Sequence, residues 1–169
     1  MIRPIVKYGE HVLHLAAEPI TTVTGEIGDL VRDMVETMYA APGVGLAAPQ
    51  VGVPLRVFVV DVSAGRSKDG LMTFINPEFV EREGLQLEEE GCLSVPGFAA
   101  TVGRPARAVV KGLDLEGRER IVEGRGLLAR AFQHEMDHLE GRVFVDRLHG
   151  IQRDLIVRRI RKLSRSGKW

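Results

Sequence analysis

Gln133-His134-Glu135-Met136-Asp137-His138 places two histidines four residues apart, with a glutamate directly after the first. On an α-helix four residues advance by about one turn, so both imidazoles project from the same face. Two ring nitrogens held in this way can bind one metal ion, and Glu135 can reach a water on that metal as a proton carrier. The pattern therefore indicates a metal-dependent hydrolase.

The residues around this segment predict an enclosed helix from about Leu127 to Glu140. Its two adjacent stripes are Leu127, Ala131, His134 and His138, and then Leu128, Phe132, Glu135 and Leu139. Apolar residues on both stripes are typical of a helix that is buried on most of its sides. Gly141 is suited to end the helix because glycine readily adopts the left-handed conformation common just after a helix C-terminus.

The rest of the chain predicts two further helices that bracket a series of strands. The helices are expected at Ile27–Met38, ended by Pro42-Gly43, and at about Gly150–Leu163, where Ile151, Leu155, Ile160 and Leu163 would bury one side. The strands are expected at Arg56–Asp61, at Met72–Ile75 before Asn76-Pro77, at Ala106–Asp114 and at Arg120–Glu123. We therefore predict an α+β fold, with antiparallel sheets packed around a central metal-binding helix and with N-terminal and C-terminal helices.

Length and composition fit one catalytic domain over residues 1–169, with 44% hydrophobic and 27% charged residues. No apolar run approaches the ~18 residues needed to cross a bilayer, and Met1–Val6 lacks the apolar core of a secretory signal. We therefore expect a soluble, cytoplasmic protein with no membrane contact. The balance of 23 acidic and 23 basic residues gives no overall indication of nucleic acid binding. Cys92 is the only cysteine, so we expect neither an intrachain disulfide nor a disulfide-linked partner.

A catalytic metal site usually needs three protein ligands and one open position, so two histidines leave the site incomplete. In the extended metalloprotease pattern H-E-x-x-H-x-x-G-x-x-H the last position is Phe144 here, which cannot bind a metal. A downstream glutamate ligand is excluded because no glutamate follows Glu140. The alternatives that stay open are Asp146, His149 and Asp154, and upstream Cys92.

Cys92 lies in Glu90-Gly91-Cys92-Leu93-Ser94, which resembles the end of a strand. A thiolate binds zinc and ferrous iron strongly. A lone cysteine is more often a small buried apolar residue, but an incomplete two-histidine site favours a ligand. A third segment, Gly43 to Gln50, is rich in glycine and alanine, and it lacks the lysine and hydroxyl of a phosphate-binding loop.

Together these three segments resemble the motifs of the peptide deformylase family. Gly43-Val44-Gly45-Leu46-Ala47-Ala48-Pro49-Gln50 matches G-x-G-x-A-A-x-Q, Glu90–Ser94 matches E-G-C-x-S, and Gln133–Gly141 matches Q-H-E-x-D-H-x-x-G. The order and spacing also match, and Ser94–Phe98 resembles the type I branch. Arg130 occupies a place near the side-chain pocket where some members carry an aliphatic residue.

The resemblance implies removal of the N-formyl group from the initiator methionine of nascent proteins, with release of formate. It implies one divalent metal, natively Fe²⁺, with Zn²⁺, Ni²⁺ or Co²⁺ also able to occupy the site. By this resemblance the metal ligands are Cys92, His134 and His138, and the catalytic groups are Glu135, the Gln50 amide and the Leu93 backbone N–H. We interpret Asp137 as orienting its neighbours and Glu90 as bracing the strand end. The implied substrate-binding residues are Gly43, Val44, Gly45, Gly97 and Leu127.

The implied partners are formyl-methionyl nascent peptides and, through the basic C-terminal helix, the ribosome. The alternative for this helix is a solvated charged face. Two other functions stay open at this stage. One is an endopeptidase of the H-E-x-x-H class with another third ligand, and the other is a non-catalytic metal-binding or ribosome-associated module.

Overall fold

The computed structural model describes all residues from Met1 to Trp169. It contains three α-helices, α1 (Gly25–Ala40), α2 (Leu127–Leu139) and α3 (Gly150–Arg165). Its seven strands are β1 (Gly45–Ala47), β2 (Val57–Val60), β3 (Met72–Glu83), β4 (Gln86–Gly91), β5 (Ala99–Arg104), β6 (Arg107–Leu113) and β7 (Glu119–Arg125). Short 3₁₀ turns lie at His11–His14, Ala48–Val51 and Phe144–Arg147. The predicted α+β class is confirmed, and none of the helices combines the length and apolarity that crossing a membrane requires.

The strands form two antiparallel sheets, one of five strands in the order β1-β2-β3-β6-β7 and one of the two strands β4 and β5. Strand β2 lies inside the larger sheet and is buried on both faces, as its continuous apolar sequence predicts. Val57 and Val59 face a cluster that includes Met34 of α1. Phe58 and Val60 face the opposite cluster, formed with α2. Helix α2, which carries His134 and His138, is thereby packed directly against the larger sheet.

The predicted end of a strand at Asn76-Pro77 is wrong, because β3 continues through both residues to Glu83. The pairing of β3 with β6 shifts between Ile75 and Glu78, which accommodates the missing N–H of the proline. Asn76 has a positive φ of 51°. Its side chain donates to the carbonyl of Ile20 and accepts from the N–H of Ile20. These long-range contacts replace the strand pairing lost at the bulge.

Helix α2 agrees with the prediction in its start, in its enclosure and in its end before Gly141, whose φ is +78°. The predicted buried face of α3 is partly wrong. Ile151 and Leu155 are 75% and 56% exposed, whereas Ile156 and Ile160 are buried. These two isoleucines pack in a third cluster, with Val102 of β5 and with the turn after α2. The cluster joins α3 to the smaller sheet, and that sheet carries the Cys92 segment toward α2.

Candidate metal centre and active site

The three proposed metal ligands converge although they come from two separate elements. Cys92 follows the end of β4, while His134 and His138 lie one turn apart on α2. The distance from His138 Nε2 to Cys92 Sγ is 3.3 Å, and the distance from His138 Nε2 to His134 Nε2 is 3.2 Å. All three ligand atoms lie within 4.8 Å of one another. The three residues are thus brought together in space.

The donor set fits a divalent ion. Ligands on a tetrahedral ion at the usual bond lengths are about 3.3–3.6 Å apart, close to the two distances observed. His134 donates from Nδ1 to Glu90 Oε2 at 2.7 Å, which leaves the lone pair of Nε2 directed toward Cys92 and His138. Burial lowers the pKa of His138, and the neutral ring is the form that binds a metal.

Glu135 lies beside this cluster and is itself buried. Its Oε1 has no hydrogen-bond partner in the protein. Burial raises the pKa of Glu135 to about 7. Glycine is required opposite this carboxylate, because a Cβ on Gly45 would lie 2.5 Å from Glu135 Oε2. The backbone of β1 therefore forms a close wall behind the proposed proton carrier.

Gln50 and Leu93 lie next to Cys92. The Gln50 side chain is fixed at both ends: Oε1 accepts from the N–H of Ala47, and Nε2 donates to Ser94 Oγ at 3.1 Å. The same Nε2 is 3.6 Å from Cys92 Sγ. The backbone N–H of Leu93 donates to no other group of the protein. Two hydrogen-bond donors are thus held beside the ligand cluster.

A cavity of about 700 Å³ opens onto the cluster. Its lining includes ten of the eleven predicted site residues, namely Gly43, Val44, Gly45, Gln50, Cys92, Leu93, Gly97, Leu127, His134 and Glu135. The eleventh, His138, is fully buried behind the lining. Leu127 is half-exposed. The cavity is also lined by Arg130, for which the family resemblance implies a place near the side-chain pocket.

Behind the cluster, charged residues form a buried hydrogen-bonded network. Arg104 donates from two nitrogens to Glu90, at 2.7 and 2.6 Å, and from Nη1 to Asp137 at 3.0 Å. Burial favours the neutral form of Glu90, but the hydrogen bonds from Arg104 and His134 outweigh it and hold its pKa well below the ordinary value. Asp137 also binds Arg147. Glu90 thus contacts the imidazole of His134 directly, in addition to lying at the predicted strand end.

Arg104 was missed by the sequence interpretation. The alternating pattern of β5 indicated its burial. Ala100 and Val102 are buried and alternate with exposed residues, and Arg104 is the next residue on the buried face. A buried arginine in that phase requires a carboxylate partner, and Glu90 lies on the adjacent strand. Strand alternation therefore indicated that Arg104 is buried, although not which carboxylates it binds.

Comparisons with known proteins identify relatives that match nearly the whole chain. The polypeptide deformylase family model matches residues 2–154. The chain is 49% identical over 169 residues to the peptide deformylase of Acidobacterium capsulatum, covering 100% of this chain and 99% of that relative. The crystal structure of a Legionella pneumophila peptide deformylase superposes with a TM-score of 0.92 at 42% identity, covering 99% of this chain and 98% of that one. The crystal structure of the Thermus thermophilus peptide deformylase superposes with a TM-score of 0.88 at 42% identity, covering 96% of this chain and 95% of that one.

Proposed function

Since the chain belongs to the peptide deformylase family, we propose that Cys92, His134 and His138 hold the one divalent metal with which it removes the N-formyl group from nascent proteins. The products are formate and a free amino terminus on the initiator methionine. The observation that carries this assignment is the convergence of one sulfur and two ring nitrogens next to a buried carboxylate atom that lacks a partner.

Fe²⁺ is the ion we propose for the site. When bound, such an ion supplies Lewis-acid chemistry, lowering the pKa of a water from 15.7 toward about 7. The soft thiolate of Cys92 and the two imidazoles suit iron, zinc, nickel and cobalt alike. Fe²⁺ binds more weakly than Zn²⁺ or Ni²⁺ in the divalent series, so availability in the cell would load iron. We expect the iron-loaded protein to lose activity in air.

Glu135 is the proposed general base and acid. Its carboxylate lines the cavity, and Oε1 is free to accept a proton. During amide hydrolysis Glu135 takes the proton of the attacking water and returns it to the leaving amine nitrogen. The Glu135 carboxylate lies against the backbone of Gly45. It can occupy this position because glycine has no side chain that would compete for the space.

The proposed oxyanion donors are the Leu93 N–H and the Gln50 side-chain amide. As the formyl carbon becomes tetrahedral, negative charge develops on its oxygen and needs fixed donors. The Leu93 N–H is unengaged within the protein, and Gln50 is anchored through its Oε1 beside Cys92. Loss of one such donor typically lowers the rate about 10²–10³-fold.

The substrate is proposed to lie along β1 and to direct its methionine side chain into the cavity. Strand β1 is an edge of the larger sheet and pairs only with β2. An extended peptide can add to such an edge through main-chain hydrogen bonds, which suits nascent chains of any sequence. Gly43, Gly45 and Gly97 line this region without side chains, while Val44 and Leu127 supply apolar surface.

We also propose that α3 docks on the ribosome, and we infer a cytoplasmic location on that basis. The exposed residues of α3 include five basic side chains, Arg158, Arg159, Arg161, Lys162 and Arg165. A cluster of this kind suits contact with the phosphates of RNA. The site at Cys92 would then work on chains as they emerge.

The experiment that tests the proposed function is an anaerobic assay of formate release from a formyl-Met peptide, with metal content measured on the same sample. We expect turnover together with about one equivalent of bound metal. Cys92→Ala should lose both metal and activity. Retention of both by Cys92→Ala would instead support a peptidase with a different third ligand and would overturn the proposal.

A further inference from the structure

Glu90 accepts four hydrogen bonds and is 5% exposed. Its Oε1 accepts from Arg104 Nε at 2.7 Å and from Arg130 Nη1 at 2.7 Å. Its Oε2 accepts from Arg104 Nη2 at 2.6 Å and from His134 Nδ1 at 2.7 Å. Two guanidinium groups therefore fix the carboxylate that in turn fixes the ring of His134.

The two arginines differ in what else they touch. Arg104 extends away from the cavity to Asp137. Arg130 is one turn before His134 on α2, and it lines the cavity together with Leu127. Each nitrogen of its guanidinium is engaged: Nε donates to Gln86 Oε1, Nη1 to Glu90 and Nη2 to the carbonyl of Val102 at 2.8 Å. Of the two arginines, Arg130 is thus the one that both lines the cavity and contacts Glu90.

We propose that Arg130 is a positioning residue that couples the pocket for the substrate side chain to the imidazole of His134 through Glu90. This inference rests on the proposed function for the identity of the substrate. It assigns to Arg130 a role in both side-chain preference and metal binding, which an aliphatic residue at the same place could not combine.

The physical reason is the rigidity of the contacts. A guanidinium is planar, and here it donates in three directions to groups on β4 and β5. A substrate side chain that packs against Arg130 therefore packs against a fixed wall that is continuous with Glu90. Partners that orient a metal-binding imidazole commonly change metal affinity or activity 10–100-fold when they are removed. Binding energy from the substrate side chain can in this way contribute to turnover.

Arg130→Met is the primary test, because methionine keeps an unbranched apolar chain and removes the guanidinium. Glu90 retains Arg104 as a counter-charge, so the variant is expected to fold. We expect its dissociation constant for Co²⁺, followed by visible absorption, to rise about 10-fold or more. In the metal-free protein, at a pH at which the His134 ring is neutral, ¹⁵N NMR of the histidine rings should show His134 losing its fixed Nδ1–H tautomer. Arg130→Lys keeps the positive charge but not the planar guanidinium with its several donors. It should change the Co²⁺ affinity and the His134 tautomer in the same direction by a smaller amount.

Arg147→Met is the matched control. Arg147 binds the far end of the same network at Asp137, and it contacts neither Glu90 nor the cavity. We expect its Co²⁺ affinity and its His134 tautomer to match those of the wild type. Unchanged Co²⁺ affinity and tautomer in Arg130→Met would overturn the proposal.

The coupling itself is tested with formyl-Met and formyl-Ala peptides. In the wild type, shortening the side chain should lower kcat as well as raise KM. In Arg130→Met it should change KM alone. If shortening the substrate side chain changed kcat equally in the wild type and in Arg130→Met, Arg130 would have only a structural role and the proposed coupling would be overturned. A wild type that releases no formate would instead contradict the proposed function, while the Co²⁺ and tautomer results would still test the Arg130–Glu90–His134 contact.

Discussion

Gly45 of β1 lies directly against Glu135 of α2, so closely that a Cβ on Gly45 would lie 2.5 Å from Glu135 Oε2 and 3.0 Å from its Cδ. The larger sheet and the metal-motif helix thus meet at the carboxylate proposed to move the proton. A side chain at residue 45 would have to displace that carboxylate, because the three atoms nearest to its Cβ all belong to Glu135.

Gly45→Ala should therefore impair proton transfer without removing the metal. We expect kcat to fall about 10²-fold, in the range that general acid–base catalysis contributes, with metal content unchanged. Steady-state formate release and metal analysis on the same sample measure both. Gly28→Ala is the control: a Cβ at Gly28, within α1, meets no atom within 4 Å. It should keep full activity and gain up to about 1 kcal/mol of stability. If Gly45→Ala turned over at the wild-type rate, the close contact between Gly45 and the Glu135 carboxylate would not be needed for proton transfer.

Glu135→Gln separates an enzyme from a module that only binds metal. Glutamine keeps the shape of the side chain but cannot accept the proton, so kcat should fall about 10²–10⁴-fold while bound metal is retained. Glu140→Gln, at the exposed end of the same helix, serves as the matched control and should resemble the wild type. If Glu135→Gln turned over normally, another group would have to be the base.

Asp61 stabilises the folded protein by an amount that depends on pH. Burial by itself raises the pKa of Asp61, but hydrogen bonds from Ser63, Tyr39 and Gly65 outweigh burial and hold its pKa below the ordinary value of 3.8. Because the folded-state pKa is lowered, the stabilisation is fully present above pH 3.8 and is lost as the pH falls through the folded value. The backbone N–H of Asp61 also donates to the carbonyl of Val44, next to the proposed substrate loop.

Asp61→Asn should accordingly destabilise the protein most at neutral pH, by about 1–3 kcal/mol. The difference from the wild type should shrink as the pH falls below 3.8. Urea unfolding of both proteins in the metal-free state, from pH 7 to pH 2.5, measures it. A difference that stays constant across this range would mean that the charge of Asp61 is not what its hydrogen bonds stabilise.

Ribosome docking through α3 should depend steeply on salt. Helix α3 also buries Ile156 and Ile160, so charge removal is a cleaner test than deletion. The variant replaces Arg158, Arg159, Arg161 and Lys162 by glutamine. We expect the slope of log affinity against log salt in ribosome co-sedimentation to lose about 3 units, at 0.7–0.9 per phosphate contact.

A matched control for this variant removes four exposed positive charges elsewhere, at Arg32, Arg66, Lys68 and Arg118. Its slope should stay at the wild-type value. Equal slopes for the wild type and the α3 variant at low salt would exclude the docking proposal and leave the basic residues of α3 as a solvated face.

The parts of the molecule that were predictable from sequence are those fixed by local periodicity. The helical spacing of His134 and His138 and the apolar run of β2 each determine their own structure. Asn76-Pro77 misled the prediction because the bulge there depends on Ile20, 56 residues away in the chain. On α3, both Ile151 with Leu155 and Ile156 with Ile160 have helical spacing, and only packing against the third cluster selects the second pair.

The approach of Cys92 to the histidines depends on tertiary structure in the same way. It requires the pairing of Glu90 with Ala100, the packing of β5 against α2 through Arg104, and the burial of Glu90 between two arginines. None of these contacts has a local signature. Composition and motif spacing indicated that a third ligand was needed, but the contact network around Glu90 became visible only in three dimensions.

X-ray absorption at the zinc edge of Zn²⁺-loaded protein tests the ligand set most directly. With Cys92, His134 and His138 bound, the spectrum should contain one sulfur at about 2.3 Å and two or three nitrogen or oxygen atoms at about 2.0–2.1 Å. Cys92→Ala should lack the sulfur contribution. A wild-type spectrum fitted by nitrogen and oxygen alone would contradict the proposed metal site and the chemistry built on it.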